Sequence, residues 1–203
     1  MSDPLITFII PTIGRSTLPQ TLCSLVNQTN PNWKAIVMFD GISPTIQHTD
    51  PRIRILDTPK LGQGHNSAGL VRNYAITFAD TEWVAFVDDD DSISNNYVEL
   101  FISESSAYTL AEIIIFRMTF IGINPNLSTD MFRLGDVGIS FAVKKRIFDD
   151  GHVFIPCDIE DYNYLFQAKG KNYKIMISPY VTYFVRDYSK VACNERGNRV
   201  LLF

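Results

Sequence analysis

Four consecutive aspartates, Asp88 to Asp91, follow the apolar run "WVAFV". Like charges this close repel one another, and the repulsion grows as water is withdrawn. Bulk water, a cationic side chain or a metal ion must offset it. In an extended chain, Asp88 and Asp90 point to one side and Asp89 and Asp91 to the other. A D-x-D pair then presents two hard oxygen ligands together. That suits Mg²⁺ or Mn²⁺, which take their remaining ligands from phosphate and water. The competing reading is a solvated acidic turn in which Asp91 or Ser92 caps the next helix. Two further polar groups stand at comparable places: "PTIGR" after the apolar run "LITFII", and Asp40 at the end of "WKAIVMFDG".

The elements that must position these groups are readable as apolar runs. "LITFII" is expected as a buried strand that "PTIGRST" breaks. "LPQTLCSLVNQ" has helical spacing at Leu18, Leu22, Leu25 and Val26. "WKAIVMFDG", "RIRIL" and "WVAFV" are expected as strands, with a helix over "LVRNYAITFAD" after the glycine-rich loop "KLGQGHNSAG". Strand and helix alternate, and the strands are continuously apolar, which predicts a parallel α/β sheet covered on both faces. "NYVELFISESSAYT" reads as a helix, "EIIIFRMTFIGI" as a long strand, and "NPNLSTDMFRLGD" as a polar loop. "GISFAVKKRIF" reads as strand then short helix, "IEDYNYLFQAKG" as a helix, and "YKIMIS" and "VTYFV" as two late strands. In such sheets ligands bind beyond the carboxyl ends of the strands, where all three polar groups fall.

The 203 residues, 46% of them hydrophobic, suit one domain over residues 1–203 and leave open a further domain after Phe203. Net charge is −4, which the four aspartates alone account for, so the balance does not support nucleic-acid binding. No apolar run reaches the length of a membrane span, and "MSDPLITFII" lacks the marks of a signal peptide. Cys23, Cys157 and Cys193 are odd in number and form no CxxC pair, which suggests neither a zinc site nor a disulfide framework. The expected compartment is the cytoplasm.

Taken in order, "ITFIIPTIGRSTLPQTLCSLVNQTNPNWKAIVMFDG", "NSAGLVRNYAI", "VAFVDDDD" and "IEDYNYLFQAKG" resemble a family 2 glycosyltransferase, over roughly residues 5 to 170. Compact domains of this kind occur in bacterial polysaccharide clusters and in large DNA viruses, chlorella viruses included. The resemblance implies a GT-A fold: a mostly parallel central sheet flanked by helices, with a small second sheet. It implies a metal-dependent, inverting transfer of a hexose from a UDP-sugar to a hydroxyl of a glycan or other acceptor. UDP-glucose is the first expectation, with Mn²⁺ or Mg²⁺ as cofactor.

The resemblance also implies roles. Pro11 and Thr12 match the motif lining the nucleoside pocket. Asp40 matches the carboxylate that accepts the uracil N3–H, and a base without that donor would leave it unpaired. Arg72 and Asn73 match a helix motif beside the nucleotide, although Val71 and Ala75 replace its usual small residues. Asp88 matches the aspartate near ribose and uracil, and Asp90 the metal ligand. The extra Asp89 blurs this register, so that Asp89 and Asp91 are the alternative pair. "IED" matches the motif supplying the catalytic base, with Asp161 first and Glu160 and Asp158 behind it. An acidic helix N-terminus is the structural alternative there. Arg186, then Lys190, are candidates to reach the diphosphate. The loop from Asn124 to Asp136, with Phe132 and Arg133, is expected to border the acceptor site. Trp33, Trp83 and Tyr97 are candidates for stacking on sugars, with core packing favoured for the two tryptophans, and His65 reads as a surface residue.

Three other functions compete. A nucleotidyltransferase should carry a basic glycine-rich loop after the first strand, where "PTIGRST" offers one glycine and one arginine. A phosphatase with a D-x-D nucleophile should carry the pair after the first strand, not the fourth. A non-catalytic nucleotide-sugar or glycan-binding domain stays open.

Overall fold

A computed structural model describes residues 5–62, 67–120 and 131–189. In chain order the elements are β1 (Ile6–Thr12), α1 (Leu18–Val26), β2 (Trp33–Asp40), β3 (Ile53–Thr58), α2 (Ala68–Ile76), β4 (Trp83–Phe86), β5 (Asp91–Ile93), α3 (Tyr97–Ala107), β6 (Ile113–Phe120), β7 (Phe141–Lys144), α4 (Arg146–Asp149), α5 (Glu160–Gly170) and β8 (Ile175–Val185). The eight strands form one sheet in the order β3-β2-β1-β4-β7-β6-β8-β5. The β1–β2, β2–β3, β1–β4 and β6–β8 pairs are parallel, so the sheet is mostly parallel. The expected small second sheet takes the form of β5 paired antiparallel with the far end of β8, continuous with the rest.

β1 is buried along its whole length, which is why its sequence is apolar at successive rather than alternate positions. It does not break at Pro11, as the sequence suggested, but runs to Thr12. The last β4 pair is Ile9 with Phe86, so Pro11 lies past the end of that ladder and its missing N–H strands no partner. Registers of Thr12 with Phe39 and of Asp40 with Thr58 bring the carboxyl ends of β1, β2 and β3 to one edge of the sheet. The core beneath this edge is aromatic. Tyr97 belongs to it, with its ring 5.3 Å from Phe8 and 4.7 Å from Phe116, so it is not a sugar-stacking residue. Trp33 and Trp83 are buried, as favoured.

Two local expectations are corrected. "YKIMIS" and "VTYFV" are one strand, β8, and β6 follows it past Pro179 by shifting register near Arg117. Asp91 and Ser92 do not cap a helix. They form β5, and the cap position of α3 is Asn96. Cys23 is buried on α1 and Cys157 is free, while Cys193 lies outside the described residues. Among the described residues no helix is long and apolar enough to cross a membrane.

Candidate active site

A cavity of about 650 Å³ opens at this sheet edge. Pro11, Thr12, Asp40, Arg72, Asp88, Asp89, Asp90, Asp161 and Arg186 all border it. Asp158 and Glu160 border it as well, together with Arg15 and Lys60, to which the sequence reading gave no role.

The aspartates are not extended. The Asp91 N–H donates to the Asp88 carbonyl at 3.1 Å, closing a tight turn, so strict alternation of faces does not apply. Hydroxyls of α1 and its lead-in fix the turn: Thr17 donates to the Asp89 carbonyl at 2.8 Å and Thr21 to the Asp91 carbonyl at 2.7 Å. Asp88, Asp89 and Asp90 therefore face the cavity together, and Asp91 turns back into the protein. There it accepts from the Tyr183 hydroxyl at 2.7 Å and the Arg186 N–H at 2.9 Å. Burial, then the neighbouring Asp88 charge, push the Asp91 carboxyl up to about 7.

The cavity-facing aspartates have different sets of partners, with Arg15 shared by Asp89 and Asp90. The Thr12 hydroxyl donates to Asp89 at 2.6 Å, and Arg15 Nε stands 3.3 Å from its other oxygen. Burial still raises the Asp89 carboxyl above its usual range. Asp88 pairs with Arg72. Asp90 lies between Arg15 Nη1 at 3.0 Å and Arg186 Nε at 3.4 Å. Arg186 is 68% exposed in its side chain and adopts the left-handed φ of +51°, costly for a residue with a Cβ. Its N–H bond to Asp91 holds it there.

Asp88, Asp90 and Asp91 each offer an oxygen lying within 4.8 Å of the others. All three donors are hard oxygens, the chemistry a Mg²⁺ or Mn²⁺ site needs. Asp91 fits least well, since both of its oxygens already accept bonds from the protein side.

Arg72 ties this turn to α5. Its side chain is 2% exposed, Nη1 donates to Glu160 at 2.5 Å, and Nη2 pairs with Asp88. Burial alone would weaken its hold on the proton. The carboxylates of Asp88, Asp161 and Glu160 more than reverse this, so it stays fully charged. Glu160 also accepts the Gly69 N–H at 3.0 Å. A Cβ at Gly69 would sit 2.6 Å from the Glu160 carboxylate and 2.7 Å from Phe154, so glycine is what allows α2 and α5 to meet. Asn73 does not border the cavity. Its amide clasps the Phe154 backbone, donating at 2.9 Å and accepting at 3.0 Å. Replacing Arg72 by Met should leave three carboxylates without their shared cation. The expected loss is about 3–5 kcal/mol, or a Tm lower by roughly 6–20 °C in a melting experiment. Lys should recover little, because one ammonium cannot span the fork.

This network separates the three candidate bases. Glu160 is committed to Arg72 and Gly69, and Asp158 is exposed at the rim. Asp161 is different. Its Oδ1 is buried and, among the described residues, has no hydrogen-bond partner, while Arg72 Nη1 stands 3.6 Å from it. The side chain as a whole is 27% exposed and borders the cavity. Burial drives its carboxyl up to about 7; Arg72 opposes the shift, and Asp88 and Glu160 add to it.

At the far end of the cavity, Asp40 accepts from Lys60 Nζ at 2.5 Å and from the Leu61 N–H at 2.7 Å. Leu134 and Gly135, in the loop expected at an acceptor site, border the cavity, as does Val137 just after it. Phe132 instead packs its ring 6.1 Å from Tyr162, and the Arg133 N–H closes a turn onto Asp136. Residues 124–130, His65 and Lys190 lie outside the described residues.

The sequence matches the family model described as Glycosyl transferase family 2 over residues 7–158. It is 30% identical over 107 residues to the putative colanic acid biosynthesis glycosyl transferase WcaA of Escherichia coli K12, covering 50% of this chain and 38% of that protein. It is 31% identical over 109 residues to the UDP-Glc:alpha-D-GlcNAc-diphosphoundecaprenol beta-1,3-glucosyltransferase WfgD of Escherichia coli, covering 51% of this chain and 42% of that one. The chain thus matches less than half the length of either relative. Among solved structures, S. aureus TarS 1-349 superposes with a TM-score of 0.69 at 17% identity, covering 89% of this chain and 60% of that one. Its complex with UDP-GlcNAc gives 0.68 at 16% identity, covering 89% and 58%. At these identities the likeness is one of fold, and the fold is GT-A.

Proposed function

The chain belongs to glycosyl transferase family 2, and from that premise we propose that it moves a hexose from a UDP-sugar to a hydroxyl of a glycan or other acceptor, with inversion. The observation that carries this reading is Asp161. It is a partly exposed carboxyl at the cavity wall whose proton affinity is raised to about 7. A general base works best when its pKa lies near the working pH. Asp161 takes the proton of the acceptor hydroxyl as that oxygen attacks the anomeric carbon. The bond from that carbon to the diphosphate breaks, and UDP leaves. No covalent intermediate forms, so no nucleophilic Ser or Cys is needed.

Asp90, with Asp88 beside it, would hold Mn²⁺ or Mg²⁺, whose chemistry when bound is to offset charge on the departing diphosphate. Arg15 and Arg186, which share Asp90, stand ready to meet the same phosphates. Pro11, Thr12 and Asp40 line the nucleoside end, and Arg72 acts by holding Asp88, Glu160 and Asp161 in place. UDP is common to the name of WfgD and to the TarS complex, and it supports a uridine donor here. Glucose, as in WfgD, is the first sugar to try. The test is release of UDP from UDP-glucose and UDP-GlcNAc with Mn²⁺ across an acceptor panel. Acceptor-dependent release is the expected result. Binding of the donor without transfer to any acceptor would favour a non-catalytic binding domain.

A further inference from the structure

We infer that Lys60 reads the nucleobase: its ammonium, seated on Asp40, selects uracil over cytosine by demanding a carbonyl oxygen where cytosine carries an amino group. This rests on the proposed use of a nucleotide donor and names the residue that sets its base.

Asp40 ends β2 with its side chain 5% exposed. A buried carboxylate must be paired, and this one is paired before any ligand arrives, by Lys60 and the Leu61 N–H. The sequence reading had Asp40 reject a wrong base by being stranded without a donor. That penalty is absent, because both oxygens already accept. Discrimination therefore passes to the cation. Lys60 is 53% exposed and borders the cavity.

The position of Lys60 is fixed by the backbone beneath it. Gly41 has φ +75°, and its N–H donates to the Thr58 carbonyl at 2.9 Å. A Cβ on Gly41 would lie 2.8 Å from both Cβ and Cδ of Lys60 and 3.1 Å from its Cα. Only glycine leaves room for the lysine stem to cross to Asp40. The opposite end of the cavity holds the aspartate turn with Arg15 and Arg186, where phosphates belong. β2 lies two strands from β4, about 10 Å at ~4.8 Å per strand. The base then falls at the Asp40–Lys60 end. An ammonium has three donors and no acceptor. It makes a charge-assisted bond to a pyrimidine O4, and it meets the cytosine N4 amino group donor against donor.

Calorimetric titration of UDP and CDP with Mn²⁺ tests this, the two bases being alike in size. The wild-type protein should bind UDP about tenfold or more tighter than CDP. Lys60→Gln, whose amide can turn either its oxygen or its NH₂ to the base, should bring the ratio towards one. Lys60→Arg, a donor only, should keep it. Equal affinity of the wild type for UDP and CDP overturns the inference without recourse to any variant. So does an unchanged ratio in Lys60→Gln, or an equal loss for both nucleotides, which would put Lys60 on the phosphates. Binding of neither nucleotide by the wild type would sink the proposed function, and this inference with it.

Discussion

Asp161→Asn should lower turnover by about 10²–10⁴-fold while leaving UDP affinity within a few-fold. The amide keeps the shape of the carboxyl but cannot take the acceptor proton. The pH profile carries the same prediction with a definite sign. A base works only when ionised, and burial holds the Asp161 proton up to about 7. Wild-type kcat/KM should therefore fall as pH drops through about 7, and the residual rate of Asp161→Asn should lose that limb. Asp91 titrates in the same range, but it faces Tyr183 and the Arg186 backbone and does not border the cavity. The raised proton affinity also means that ionising Asp161 works against folding. That cost is absent below the ordinary carboxylate range and complete above about 7. Substitution by Asn should thus raise stability slightly at alkaline pH, which a melting series across pH would show. Activity equal to wild type in Asp161→Asn would remove it as the base, and Glu160 could not simply replace it while bound to Arg72 and Gly69.

Asp90→Ala should lower turnover by about 10²-fold or more, since a bound cation contributes several kcal/mol of charge stabilisation to a departing diphosphate. The fold should tolerate the change. Among the described residues Asp90 pairs only with Arg15 and Arg186, both well exposed, and exposed ion pairs contribute about 0–1 kcal/mol. A Tm close to wild type alongside lost turnover would separate the cation role from a structural one. The two arginines freed by the substitution keep some attraction for phosphate, so weak binding that ignores chelator is expected to remain. Full activity of the variant, or full wild-type activity in chelator, would contradict the metal assignment.

The strand ends were legible because burial on both faces writes itself as an uninterrupted apolar run, and the polar residue that follows marks the edge. Thr12, Asp40 and Asp88 reach one cavity for that reason. The conformation of the aspartates was not legible. Their turn is fixed by Thr17 and Thr21 from α1, and by Tyr183, which receives the Asp88 N–H and donates to Asp91. None of these partners is close in sequence. The choice among Asp158, Glu160 and Asp161 was open for the same reason, since Arg72 selects Glu160 across 88 residues. Arg15 and Lys60 did leave a signal, each a lone cation in the loop just beyond a strand end. A buried or clustered carboxylate at a neighbouring strand end needs such a cation beside it.

The central claim is that the aspartate turn holds a cation against a nucleoside diphosphate. Calorimetric titration of UDP into the wild-type chain, with Mn²⁺ and then with chelator, tests it most directly. The account predicts binding that depends on Mn²⁺ and is lost in Asp90→Ala. No UDP binding under either condition would leave the aspartates as a turn tied up by its own arginines, and would contradict the account.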